Sequence, residues 1–268
     1  MKYEGNEESG IRYCAEFYRT RGLAAPESMR QLALAITAPA PPTLDNFIAG
    51  RNIELVERLR SLAGGGVPER FIYLWGAAGC GRSHLLKGAL HAMCGAGLAA
   101  AHVSCAPGAG MPDDVERSDY VVLDDVDRLD PEAQIAAFHL YNRLRERQGM
   151  LVASGGAPPA QLPLREDLAT RLAWGLVYHV AALTDEEKGR ALDQRAEALG
   201  FRLPSEVRDF LLTRARRDIA SLVAMVDALD RYSLETKRPV TVPLARELLA
   251  RREDAGSAVR DPASGSTG

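Results

Sequence analysis

Two short stretches of this chain carry residue types and spacing suited to polyphosphate chemistry. The first, Gly76-Ala77-Ala78-Gly79-Cys80-Gly81-Arg82-Ser83, follows the pattern G-x-x-x-x-G, basic, hydroxyl. Glycines there let backbone amides turn inward around phosphate oxygens, while a following helix presents its positive N-terminal end. Arg82 stands where lysine is usual. A planar guanidinium keeps the charge but not the compact geometry that supports hydrolysis, so the loop is expected to bind nucleotide better than it turns it over. Ser83 is placed to ligand Mg²⁺. The second stretch, Tyr120-Val121-Val122-Leu123-Asp124-Asp125, is an apolar run ending in two acids. Asp124 suits the Mg²⁺ shell and Asp125 suits orientation or activation of water. Each stretch has a plainer reading, as a glycine-rich turn or as acids capping the next helix; finding both, in this order, favours a nucleotide site.

Such residues need a scaffold of strands that end together. Short apolar runs at Phe71 to Trp75, Ala99 to Ser104, Tyr120 to Leu123, Met150 to Ser154 and Val177 to Val180 alternate with helical periods, the pattern of a parallel sheet with crossover helices. Helices are expected over Asn52 to Leu62, Ser83 to Cys94, Pro131 to Arg147 and Glu166 to Leu172. Beyond Thr184 the strand signal stops. Helical stretches follow near Asp185 to Leu199, Ser205 to Arg216, Ile219 to Thr236 and Pro243 to Arg251, the first opened by a capping box of Thr184 and Glu187. The expected organisation is an N-terminal extension over 1–28, a short peptide and linker over 29–42, an α/β nucleotide-binding domain over 43–182, a helical lid over 183–253, and a disordered tail over 254–268.

The bulk properties narrow the function classes. With 33 Lys+Arg against 36 Asp+Glu the net charge is −3, without the basic excess of many nucleic-acid binders. No apolar run reaches the roughly 18 residues of a membrane span and no signal peptide opens the chain, so a cytoplasmic protein with no membrane contact is expected. Cys14, Cys80, Cys94 and Cys105 lack metal-ligand spacing and read as reduced thiols. Trp174 and Tyr178 read as packing residues.

Several further segments resemble the DnaA-related AAA+ family, and within it the shortened regulatory Hda branch more than the initiator DnaA itself. Thr43-Leu44-Asp45-Asn46-Phe47-Ile48-Ala49-Gly50-Arg51-Asn52 is similar to the stretch that lines the adenine pocket. Gly81-Arg82-Ser83-His84-Leu85-Leu86 matches the Hda type of phosphate loop, in which arginine replaces lysine. Asp167 to Gly175 resembles the box that carries an arginine finger, here Arg171, and Ser154 falls at the sensor position of the fourth strand. Ala220 stands where the family's lid carries a nucleotide-sensing arginine, with Arg216 and Arg217 nearby as substitutes. Gln31-Leu32-Ala33-Leu34-Ala35-Ile36 resembles the peptide by which replication proteins dock on the sliding clamp, with Gln31, Leu32, Leu34 and Ile36 as its anchors.

The resemblance implies an AAA+ P-loop domain with a parallel five-stranded sheet plus a small C-terminal α-helical lid. It implies ADP or ATP with Mg²⁺ as cofactors. Gly76, Gly79, Gly81, Arg82, Ser83, His84 and Asn52 would hold the nucleotide, Ser83 and Asp124 the metal, and Arg171, Asp125 and Ser154 would serve catalysis. The partners implied are the DnaA initiator and the sliding clamp (the beta subunit of DNA polymerase III), with DNA reached only through the clamp and room for a homo-oligomer. The function implied is a negative regulator of replication initiation that stimulates ATP hydrolysis on DnaA from the DNA-loaded clamp. A non-enzymatic adaptor of DnaA and an independent AAA+ ATPase are the alternatives.

Overall fold

The structure, a computed structural model, describes residues 41–65, 69–108, 112, 115, 117–214 and 218–257, with side chains up to Arg251. These residues pack as two compact units that divide between Ala182 and Leu183.

In the first unit, strands β1 (Phe71–Trp75), β2 (Ala100–Ser104), β3 (Tyr120–Asp124), β4 (Met150–Gly155) and β5 (Leu176–His179) form a five-stranded sheet of order β2-β3-β4-β1-β5, parallel at every pairing. Because strand side chains alternate between faces, Ile72 and Leu74 enter one core while Tyr73 enters the other. The first face is covered by α1 (Ile53–Ala63) and α2 (Arg82–Gly95), through Leu55, Leu59, Leu85 and Leu86. The second is covered by α3 (Pro131–Glu146) and α4 (Glu166–Ala173), through Ala137, Leu140, Leu144, Leu168 and Leu172. Coverage on both faces explains why β3 and β4 are buried throughout and read as continuous apolar runs. Edge strand β5 instead alternates half-buried and exposed residues.

Asp130 opens α3, its carboxylate accepting from the Ala133 amide at 2.9 Å with Pro131 in the first helical turn. Register then sets the site. Leu74 pairs with Ser154 and Ser104 with Asp124, so β1, β3 and β4 end side by side, and the loop from Gly76 leaves that edge.

The second unit is helical: α5 (Asp185–Ala198), α6 (Ser205–Arg214), α7 (Ile219–Thr236) and α8 (Val242–Ser257). The capping box at α5 is present, with the Thr184 amide donating to Glu187 Oε2 at 2.7 Å and the Glu187 amide donating to Thr184 Oγ1 at 3.2 Å. Its core joins Leu192 and Ala196 of α5, Leu211 of α6, Leu222, Val226 and Leu229 of α7, and Leu244 and Leu248 of α8. Arg195 forks onto Asp227 at 2.6 and 3.1 Å, tying α5 to α7.

Three expectations change. Helix α8 continues to Ser257 rather than ending near Arg251, since Glu253, Asp254 and Ala255 are helix-compatible even where the apolar period lapses. Cys80 and Cys105 are free and buried, whereas Cys94 on α2 is disulfide-bonded, which departs from the reading of four thiols. Trp174 lies at the surface, 53% exposed. Among the described residues no helix is long and apolar enough to cross a membrane.

Candidate nucleotide-binding site

The loop between β1 and α2 is held open by two left-handed glycines, Gly79 (φ 78°) and Gly81 (φ 104°). Gly81 is the N-cap of α2, accepting the Leu85 amide at 3.0 Å, and a Cβ there would sit 2.8 Å from the Phe47 ring. A Cβ on Gly76 would lie 2.7 Å from the Val180 carbonyl oxygen. The loop therefore needs glycine for curvature at Gly79 and Gly81 and for close approach at Gly76 and Gly81, the conditions under which amides line a phosphate cradle at a helix N-terminus.

Arg82 does something its position did not foretell. Its Nη1 donates to the Gly76 carbonyl at 2.7 Å and to the Gly155 carbonyl, and its Nη2 pairs with Asp125 Oδ1 at 3.1 Å. The side chain is 12% exposed. One guanidinium thus ties the phosphate loop to the end of β4 and to the second acid of β3. Asp125 is in the left-handed region (φ 59°), and its carboxyl is raised above the usual range by burial and then by neighbouring Asp124, while Arg82 pulls it back down. Asp127 supports the same corner, accepting the Gly156 amide at 3.3 Å.

Asp124 and Ser154 are both buried. The Ser154 hydroxyl donates to Asp124 Oδ1 at 2.7 Å and accepts the Asp125 amide at 3.0 Å. Its one proton is committed to aiming Asp124. Among the described residues, Asp124 Oδ2 and the Ser83 hydroxyl carry no hydrogen bond. A carboxylate and a hydroxyl at the foot of a phosphate loop are hard oxygen donors that fit Mg²⁺ shared with nucleotide phosphates. When bound, that cation neutralises phosphate charge.

The Thr43 to Asn52 stretch packs beside this loop. His84 Nε2 lies 3.0 Å from the Thr43 carbonyl and 2.9 Å from Asn46 Oδ1. Two acceptors on one nitrogen place a proton there, and burial keeps the imidazole below its usual pKa. His84 also meets the Phe47 ring, with centroids 5.4 Å apart. Asn52 is buried and spends its amide on Ala181, donating to the carbonyl at 2.9 Å and accepting the amide at 2.8 Å. It fixes the chain leaving β5.

Arg171, near the end of α4, rests 4.0 Å from the Trp174 ring centroid and 5.6 Å from that of Phe138. Among the described residues it has no carboxylate partner.

Comparison with known proteins converges with this geometry. Residues 185–249 match the family model described as Hda, lid domain. AMPPCP-bound DnaA from Aquifex aeolicus superposes with a TM-score of 0.62 at 20% identity, over 80% of this chain and 70% of that one. Domain III of the Thermotoga maritima replication initiation protein DnaA gives 0.62 at 20% identity, over 78% and 95%. A Thermotoga maritima RuvB mutant gives 0.57 at 15% identity, over 78% and 72%. The chain shares the fold of these solved structures, and residues 185–249 match the Hda lid domain.

Within this site the structure brings together Gly76, Gly79, Gly81, Arg82, Asp124, Asp125 and Ser154, with His84 beside the loop through Phe47. Asn52 is turned to the backbone of Ala181. Ala220 is exposed on α7. Arg216 and Arg217 lie outside the described residues, as do Gln31, Leu32, Leu34 and Ile36. Sequence reasoning missed Asp127, and it missed Tyr73, whose hydroxyl donates to the Ala157 carbonyl at 2.8 Å and secures the turn after β4. The only sequence signal for Tyr73 was a hydroxyl on an otherwise apolar strand.

Proposed function

We propose that this protein holds ADP or ATP with little turnover of its own and presents Arg171 to ATP on the initiator DnaA while docked on the DNA-loaded sliding clamp, thereby lowering the supply of ATP-bound initiator. The observation that carries this reading is Arg171 itself, a cation held near the surface by aromatic faces, with no carboxylate to neutralise it among the described residues. A guanidinium in that condition is available to phosphate oxygens of another molecule. There it would offset charge developing on the γ-phosphoryl group as water attacks, an effect of about a thousandfold to a hundred-thousandfold in comparable NTPases.

The chain's own site fits weak turnover. Asp125, the residue placed to orient water, is engaged by Arg82, and Ser154 is engaged by Asp124 and Asp125. In this reading the site serves to order the domain around bound nucleotide, and the clamp peptide Gln31 to Ile36 supplies localisation.

The test is conversion of DnaA-bound ATP to ADP in the presence of DNA-loaded clamp. Wild type should stimulate conversion, Arg171→Ala should abolish it while keeping ADP and clamp binding, and Arg171→Lys should rescue poorly because an ammonium lacks the fork. Alanine at Gln31, Leu32 and Leu34 should abolish clamp binding and stimulation together. Undiminished conversion by Arg171→Ala would remove the finger from the mechanism and leave the adaptor reading.

A further inference from the structure

Arg171 and Trp174 share the C-terminal end of α4. Arg171 lies in the last turn and Trp174 caps it, donating its amide to the Arg171 carbonyl at 3.2 Å. Residues three apart on a helix are neighbours on its surface, while Leu168 and Leu172 of the same helix enter the core. Helix α3 supplies Phe138 and Arg145, two helical turns apart and so on one stripe. The four side chains alternate in kind. Arg171 lies 5.6 Å from the Phe138 centroid and 4.0 Å from that of Trp174, and Arg145 lies 4.9 Å from the Trp174 centroid. Trp174 does not fill the core: it is exposed, and the backbone sets its place. A Cβ on Gly175 would lie 2.1 Å from the Phe71 carbonyl oxygen, so the chain entering β5 is pressed onto β1 and the indole is held outward.

A guanidinium that acts on the phosphate of another molecule has two requirements. It needs a preset direction, since a long side chain left free must lose that freedom on reaching its target. It also needs its charge and its N–H donors unspent. A carboxylate partner meets the first requirement and fails the second. An aromatic face meets both, because it attracts the cation through the flat of the ring and accepts none of the donors in the guanidinium plane. Among the described residues neither Arg171 nor Arg145 has a carboxylate partner, and the two share one indole. Like charges on one ring oppose each other, so the ring orients Arg171 without trapping it.

We propose that Trp174 is the positioning residue for Arg171: its indole aims the guanidinium before a partner's nucleotide is engaged, and releases it without the breaking of an ion pair. The inference rests on the reading of Arg171 as a finger and adds the group that sets its direction. A packing role for Trp174 would be met equally by any apolar side chain of similar bulk. A docking role would appear in affinity for the partner rather than in the rate of the step that Arg171 serves.

The first measurement needs no partner. In proton–nitrogen correlation spectra of the intact protein with ADP and Mg²⁺, the Arg171 Nε–H resonance, assigned by its loss in Arg171→Lys, should lie upfield because the indole ring current shields it. Trp174→Phe should keep part of that shift. Trp174→Leu, which keeps apolar bulk and loses the aromatic face, should abolish it, and Arg145→Gln should leave it in place. The second measurement is conversion of DnaA-bound ATP with DNA-loaded clamp, followed against protein concentration. Trp174→Leu should lower the maximal rate about three- to tenfold and leave the half-saturating concentration within about twofold, and Trp174→Phe should recover most of the rate. If Trp174→Leu fails to fold by circular dichroism, Trp174→Gln at this exposed position takes its place. Conversion undiminished by Arg171→Ala would sink the finger and this proposal together. Conversion abolished by Arg171→Ala but untouched by Trp174→Leu would overturn the role of Trp174 alone. So would an Arg171 resonance indifferent to Trp174→Leu, or a raised half-saturating concentration at an unchanged maximal rate.

Discussion

Replacing Arg82 with alanine removes a guanidinium that three separate chain segments share, and the structure sets the size of the effect. The variant strands the Gly76 and Gly155 carbonyls and one oxygen of Asp125. Hydrogen bonds to charged groups contribute about 1.5–3 kcal/mol each, but contacts made by one side chain do not add. Asp125 keeps 33% of its side chain in water, so part of its loss is recovered by solvent. The net expectation is about 3 kcal/mol, or a fall of roughly 6–12 °C in Tm at about 2–4 °C per kcal/mol. Asp125→Asn removes the charge from one arm only and should cost about 1 kcal/mol, and a double-mutant cycle between the two positions should show coupling of about that size. Arg82→Lys should recover only part of the loss, because Nη1 reaches two carbonyls while Nη2 reaches the carboxylate and a single ammonium cannot span them. Thermal unfolding by circular dichroism, with and without saturating ADP, measures wild type, the three single variants and the double variant. Since Arg82 is spent on protein acceptors, ADP should raise the Tm of wild type and Arg82→Lys by similar amounts. Melting of Arg82→Ala within about 2 °C of wild type would refute the tether. So would a loss of the ADP-induced shift in Arg82→Lys without loss of basal stability.

Three other sites give independent checks. The Tyr120 hydroxyl is fully buried and without a hydrogen-bond partner among the described residues, so Tyr120→Phe should stabilise by about 1 kcal/mol, read by urea unfolding; destabilisation would reveal a partner for the hydroxyl. Asn52→Ala breaks both bonds to Ala181 in a buried place and should cost about 2–3 kcal/mol, whereas a loss below about 0.5 kcal/mol would show that the clamp is not formed. In the lid, Glu247 is held below the usual carboxylate range by the Tyr232 hydroxyl and then by Arg238. Its folded pKa is depressed, so the stability it contributes is present above about pH 4.5 and is lost as pH falls through its folded value. Glu247→Gln should flatten that part of the stability profile, and an unchanged slope would show that the carboxylate is not engaged.

Much of this molecule was legible because the governing forces are local. Central strands buried on both faces leave unbroken apolar runs, and β1, β3 and β4 stand within a residue or so of their expected ends. The left-handed angles of Gly79 and Gly81 follow from what a phosphate loop asks of its backbone, and the Thr184–Glu187 box from a spacing of three. What was illegible depends on strand order and on close backbone approach. Arg82 and Gly155 are adjacent only because β4 pairs with β1, which no periodicity reveals. Trp174 was expected to pack by residue type alone. Gly175, pressed against the Phe71 carbonyl, turns the chain so that the indole faces outward to two arginines.

The sheet order also explains why an arginine in the lysine position matters here. In β2-β3-β4-β1-β5 the chain leaves β1 through α2 to reach β2 at the far edge, while the neighbouring strand β5 lies on the other side. Connections diverge at the C-terminal end of β1, the kind of place where open α/β sheets take ligands. Arg82 sits in the first turn of α2 at this divergence and reaches across β1 to the ends of β4 and β3. A compact ammonium serves one such direction at a time. A fork serves several, and the acceptors it finds include the acid best placed to handle water. The same side chain that carries the loop's positive charge thereby draws Asp125 into a structural contact. On this geometry the basic residue of the loop and the second acid of β3 are engaged with each other, which supports the proposal that the site holds nucleotide with little turnover of its own.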